Sequence, residues 1–133
     1  MKKITTLLLS MCLPIICTYA LEYNNSEENP IQSGSPTEAL LDYLQAAANK
    51  DSDEVLEHTA KGRRFYLENK PNATEDFFES VQGLDFDSPI LWVEIPGEDF
   101  IVVSVKVLKK GSDEHFQTRH RLTKIDGSWK VTT

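Results

Sequence analysis

His120 lies in the run Phe116-Gln117-Thr118-Arg119-His120-Arg121-Leu122, where polar and apolar residues alternate. In an extended strand, residues two apart share a face. His120 and Thr118 therefore stand beside Phe116 and Leu122 on an otherwise apolar side. An imidazole in such surroundings has the ingredients of a general acid or base near neutral pH, provided that a carboxylate or another donor faces it. No carboxylate shares that face of the run, and spacing alone does not place Asp85, Asp87 or Glu94 against it. His120 is thus a weak catalytic candidate and the first candidate for a ligand cavity, with Thr118. The alternative is a core histidine bonded to a backbone carbonyl.

Tyr66 and His58 come from helical segments that would roof such a cavity, and Trp129 joins it from the last strand, completing the candidate lining. His58 follows Glu57 on a short polar helix, so solvent competes for it. His115, beside the Gly111 turn and flanked by Asp113 and Glu114, reads as exposed. These histidines lack the i, i+4 spacing of a helical metal site, and no metal or cofactor is expected. Nucleophilic triads, Walker loops and Gly-rich dinucleotide fingerprints are missing. Glycines 62, 83, 97, 111 and 127 instead fall at breaks and turns. Asn24-Asn25-Ser26 and Asn72-Ala73-Thr74 match the glycosylation acceptor pattern, which is common by chance.

The elements that must position these residues divide into two halves. Helical signals run to about Gly83, and strand signals run from about Asp87 onward, which predicts an α+β domain with helices on one face of an antiparallel sheet. Ser35, Pro36 and Glu38 open the first helix as cap, first-turn proline and capping-box partner. Leu40, Leu41, Leu44, Ala47 and Ala48 form its core stripe, and Asn49-Lys50 ends it. A second helix starts at Asp51 or Ser52, with Val55, Leu56 and Thr59 inward, and Gly62 breaks it. Arg63 to Asn69 forms another turn or two before Pro71. Asn72-x-x-Glu75 caps a helix that buries Phe77, Phe78 and Val81 and stops before Gly83.

Four strands follow: Ile90 to Ile95, Phe100 to Lys109, Glu114 to Ile125, and Trp129 to Thr133. Asp126-Gly127 is a two-residue hairpin signal between the last two. Ile101, Val103, Val105 and Val107 give the second strand an apolar face, and Trp129 and Val131 go inward on the fourth. Lys106, Arg119, Arg121 and Lys130 then project together from the opposite face. The first strand is ambiguous, because a slip of one residue exchanges its faces. With Leu91, Val93 and Ile95 inward, Trp92 and Glu94 join the cations, near Phe100 and Val102. Aromatic, aliphatic and cationic groups on one open sheet face make a candidate interface. A solvated face is the alternative. Lys61, Arg63 and Arg64 form a smaller basic cluster, read as pairing with neighbouring acids.

Ahead of the domain, Lys2 and Lys3 precede an apolar run from Ile4 to Cys17, and Thr18-Tyr19-Ala20 has small residues at −3 and −1. This is a secretory signal with a cut after Ala20. At ~1.5 Å per residue the run reaches roughly 21 Å, short of the ~30 Å hydrocarbon core. Met11 and Ile16 precede Cys12 and Cys17 where a lipidation signal wants a small residue. Residues 1–20 are thus read as signal, 21–34 as a flexible leader and 35–133 as the domain, with no membrane span after cleavage. Both cysteines go with the signal, which excludes disulfide scaffolds and thiol chemistry from the mature chain. Loss of Lys2 and Lys3 leaves 12 basic against 21 acidic residues, a net charge of −9. That field repels phosphate backbones, so nucleic acid is not an expected partner, and it suits a cationic ligand or a basic protein partner, or serves solubility alone.

Helices first and a bent antiparallel meander after them resembles the nuclear transport factor 2-like family. The likeness rests on Pro36-Thr37-Glu38-Ala39-Leu40-Leu41-Asp42-Tyr43-Leu44, on Ala46-Ala47-Ala48-Asn49-Lys50-Asp51, and on the final hairpin Arg121 to Val131 with its Gly127-Ser128-Trp129-Lys130-Val131 ending. It covers most of residues 36–133, on structural rather than catalytic motifs. The resemblance implies a cone-shaped, cystatin-like roll, in which the four-stranded meander curls around the helices. It also implies that enzymes are a minority and that many members dimerise through the outer sheet surface, making a homodimer one candidate partner. The reading is a secreted or periplasmic non-catalytic binding protein, taking a small apolar or cationic ligand in the cone or a protein partner on the sheet. The alternatives are a small cavity enzyme centred on His120 and an interaction or immunity-type inhibitor protein. Fold likeness by itself does not assign the activity.

Overall fold

The computed structural model describes residues 30–133 and the backbone of residues 23–24. The expected secretory signal and most of the expected leader lie outside the described residues. Four helices precede the meander: α1 (Pro36–Ala48), α2 (Ser52–Glu57), α3 (Lys61–Asn69) and α4 (Ala73–Ser80). The sheet runs β1 (Tyr23–Asn24), β2 (Leu91–Pro96), β3 (Ile101–Leu108), β4 (His115–Ile125) and β5 (Ser128–Val131), in chain order and antiparallel throughout. The architecture is α+β, with the helices packed against one face. The four expected strands are present, and the leader adds the two-residue β1 at the free edge of β2.

Local chemistry explains where the elements start and stop. Ser35 Oγ accepts the Glu38 amide at 3.2 Å, and Pro36 fills the first helical position, where no N–H is needed. Glu38 reaches back to the Gly34 amide at 3.0 Å, one residue beyond the expected capping box. Asp51 caps α2 through the Glu54 amide at 3.2 Å. Two expectations fail here. Gly62 lies inside α3 and does not break a helix; the break falls at His58–Ala60, whose backbone turns away to bond β5. Asn72 makes no side-chain cap, because its backbone is left-handed at φ 63°.

The same residues that break the helix close the sheet. Val131 N donates to His58 O at 2.7 Å and Ala60 N donates to Val131 O at 2.9 Å, so the β5 edge is covered by main chain. Asp126 and Gly127, at φ 52° and 82°, form the tight turn that sets Ile125 opposite Ser128.

The core lies between α1 and the sheet. Leu40, Tyr43, Leu44 and Ala47 of α1 are buried with Val103, Val105, Val107, Leu122 and Val131, and Phe78, Val81, Leu84 and Phe86 close one side. Ile101 packs at the margin of this cluster. The β2 ambiguity is decided against the sequence expectation. Trp92 is 2% exposed and pairs with Val105, while Glu94 pairs with Val103, so both face the helices. Leu91, Val93 and Ile95 take the outer side.

Candidate functional site

The five residues expected to line one cavity divide between two places. Thr118 and His120 share the helix-facing side of β4, i and i+2, as the alternation requires. His120 Nδ1 lies 2.9 Å from the main-chain oxygen of Thr133, an acceptor, so Nδ1 carries the hydrogen. Its Nε2, 2.8 Å from Thr118 Oγ1, then accepts the threonine hydroxyl in the neutral ring. Burial lowers the His120 pKa from its ordinary 6.5, with the Thr133 hydrogen bond opposing and the nearby Arg63 charge reinforcing. Neither ring nitrogen has an Asp or Glu side chain as partner among the described residues. A proton transfer at Nε2 would first have to displace Thr118.

Tyr66 belongs to the same neighbourhood, but the residues that organise it are Tyr43, Arg63 and Phe77. The Tyr43 ring stacks on Phe77 at 5.0 Å and meets His120 edge-on at 5.9 Å. Arg63 Nε donates to the Tyr43 hydroxyl at 3.1 Å. The Arg63 guanidinium carbon lies 5.3 Å from the Tyr66 ring centre and 5.4 Å from that of Phe77. Burial raises the Tyr43 pKa, against the lowering effect of Arg63's charge and hydrogen bond, so the phenol stays protonated at neutral pH. Within the basic cluster of α3, Arg64 pairs with Glu68 at 3.3 Å as expected of a neighbouring acid, whereas Arg63 turns to the rings. Tyr43 was legible as i+3 from Leu40 and i−4 from Ala47 in the α1 stripe. Arg63 was legible as i−3 from Tyr66.

His58 and Trp129 lie elsewhere, in a concavity of about 250 Å³ shared with Glu38, Asp42, Glu57 and Lys130. His58 Nε2 is 4.0 Å from Glu54 Oε1. Burial raises the Asp42 pKa, with His58 pulling it down and Glu38 pushing it up. Lys130 Nζ bonds the main-chain oxygen of Glu57 at the end of α2, where a cation complements exposed carbonyls. Lys130 therefore leaves the outer cationic set to which its strand parity assigned it. The cause is the edge position of β5, which lets a long side chain wrap round to the helix.

The outer sheet face keeps Lys106, Arg119 and Arg121. Cross-strand rows run Ile95, Val102 and Arg121; Val93, Ser104 and Arg119; and Leu91, Lys106 and Gln117. Gln117 Nε2 donates to the buried Ser104 Oγ at 3.0 Å. Arg121 lies 4.2 Å above the Phe100 ring, which folds so closely over the β2–β3 turn that a Cβ on Gly97 would stand 2.5 Å from it. Lys106, Arg119 and Arg121 form no ion pair among the described residues. Trp92 and Glu94, expected here, instead serve the core. Glu94 Oε2 accepts both the amide (3.2 Å) and the hydroxyl of Thr37, at the second position of α1. A carboxylate there meets the positive end of the helix.

Among the described residues no group of three His, Cys, Asp or Glu side chains could hold a metal ion, and no helix is long and apolar enough to cross a membrane. No protein-family model matches the chain, and a comparison with curated proteins returns no relative.

Proposed function

We propose that this chain is an extracytoplasmic, non-catalytic binding protein whose working surface is the outer face of the sheet. The observation that carries the reading is the set Lys106, Arg119 and Arg121. Three cations stand among Leu91, Val93, Ile95 and Val102 in a chain of formal charge −7, with no described carboxylate pairing them. Apolar side chains supply contact area, and the cations set register against an acidic partner surface. An isologous dimer that placed this patch against itself would bring Arg119 and Arg121 towards their own copies, so an acidic partner fits better than a second copy. No Asp or Glu side chain meets either His120 nitrogen among the described residues, which weighs against an acid–base enzyme. The export pattern of residues 1–20 supports the location. The order of helices before an antiparallel meander supports the proposed place in the nuclear transport factor 2-like family.

Native mass measurement of the protein purified from its own source, with whatever it retains, tests the reading. The wild type is expected to carry an acidic partner that the Arg119→Glu/Arg121→Glu variant loses while its thermal midpoint is kept. A wild type that stays monomeric and retains nothing, or a partner held equally by the variant, would sink it.

A further inference from the structure

Away from the sheet's outer face, α3 gathers positive charge. Lys61, Arg63, Arg64 and Lys70 stand against Glu68 alone between residues 61 and 70, in a chain that is otherwise acidic. Arg64 is paired with Glu68, and Lys70 Nζ lies 5.1 Å from the Tyr66 ring centre. Arg63 differs from both. Its Nε is fixed by the Tyr43 hydroxyl, and the Tyr66 and Phe77 rings hold its plane, so the guanidinium is oriented before any ligand arrives. Its two terminal nitrogens have no acceptor among the described residues. A planar fork of N–H donors held in that way matches the two oxygens of a carboxylate.

The surroundings favour an anion with an apolar body. Arg63 is half-buried, which strengthens its field relative to open solvent. The titratable side chains beside it, Tyr43 and His120, are both neutral at pH 7, so neither competes for the cation. Phe65 and Tyr66, 68% and 41% exposed, offer apolar and aromatic surface on the same helix. We infer that Arg63, framed by Tyr66 and Phe77, is a binding site for small organic carboxylates carried on an aromatic or aliphatic body. This site is separate from the outer sheet face and does not depend on a partner docking there.

Sodium benzoate is the probe, with benzamide as its uncharged counterpart and inorganic phosphate as the plain anion. Benzoate is expected to shift the Arg63 Nε–H resonance and the Tyr66 and Phe77 ring resonances of the purified protein in a saturable titration. Benzamide is expected to leave them unmoved, and phosphate to bind at least tenfold more weakly. Arg63→Lys keeps the charge but not the fork, and should weaken benzoate at least tenfold; Arg63→Met should abolish the response. Should Arg63→Met lose its fold with the Tyr43 hydrogen bond, the lysine variant and the benzamide comparison still decide. Equal shifts from benzoate and benzamide, phosphate binding as tightly as benzoate, unchanged affinity in Arg63→Lys, or benzoate shifts confined to the Arg119–Arg121 face would each overturn the inference.

Discussion

Alternate residues of the same strands build two unlike surfaces. On β3, Val103, Val105 and Val107 are fully buried beneath the helices, while their neighbours Val102 and Lys106 remain half-exposed on the other side. Each buried aliphatic side chain contributes about 1.5–3 kcal/mol by leaving water. The outer cations, being solvated, contribute little to folding. The covered face therefore carries stability and the open face carries charge. The few polar groups on the covered face are there under conditions: Glu94 is satisfied by a helix end, and His120 is neutral and doubly hydrogen-bonded. A polar group can occupy a core face when its partners are supplied by another element.

The largest expected effect tests which face Trp92 belongs to. Trp92→Ala should destabilise the fold by about 3–5 kcal/mol in urea denaturation, and Leu122→Ala by about 2–5 kcal/mol. Arg119→Ala on the open face should stay within about 0.5 kcal/mol of wild type. A Trp92→Ala variant as stable as Arg119→Ala would reverse the assignment of the two faces.

Next in size is Glu94. Its replacement by alanine leaves the buried Thr37 amide and hydroxyl without their acceptor and should cost about 1–3 kcal/mol. In a double-mutant cycle with Thr37→Val the two losses should add only in part, because both remove the hydroxyl bond while the valine variant keeps the amide bond to Glu94. Additive losses would detach Glu94 from α1.

His120 gives a smaller effect that depends on pH. Burial places its folded-state pKa below the 6.5 of the free imidazole. Between those two values the unfolded chain binds the proton and the folded chain does not, so acidification favours unfolding. The stabilisation is complete above the unfolded pKa and is lost as pH falls through the folded one. The urea midpoint of the wild type should therefore drop more between about pH 7.5 and pH 5 than that of His120→Gln. Parallel profiles for the two would show that the imidazole is not held neutral.

The smallest effect belongs to the open face. Arg121 over Phe100 should couple by about 0.5–1 kcal/mol in a cycle of Arg121→Ala with Phe100→Ala. Coupling near zero would mean that solvent separates the pair.

Sequence patterning reached far into this fold because many of its determinants are local. The Ser35 and Asp51 caps, the stripe on α1, the hairpin at Asp126-Gly127 and the alternation along β3 and β4 each act within a few residues. Where it failed, the outcome lay in a local backbone conformation or in a distant partner. Asn72 offered capping chemistry that its left-handed backbone does not use. Gly62 read as a breaker, while the break at His58–Ala60 was imposed by hydrogen bonds from Val131, over seventy residues away. The side-chain cluster around His120 was legible at Thr118 and His120 and incomplete without Tyr43, Arg63 and Phe77, which meet only when α1, α3 and α4 pack together.

The amino-acid sequence by itself determined the α+β order, the strand alternation, the sharing of one strand face by Thr118 and His120 and the cations opposite them, since each follows from backbone period and side-chain type. Only the tertiary structure decided that Trp92 and Glu94 face inward, that Lys130 wraps round to α2 and that Arg63 is framed by two rings. A β-strand's pattern fixes which residues share a side, but not which side is covered. That choice is made by the helix end that Glu94 can reach and by the apolar volume that Trp92 must fill.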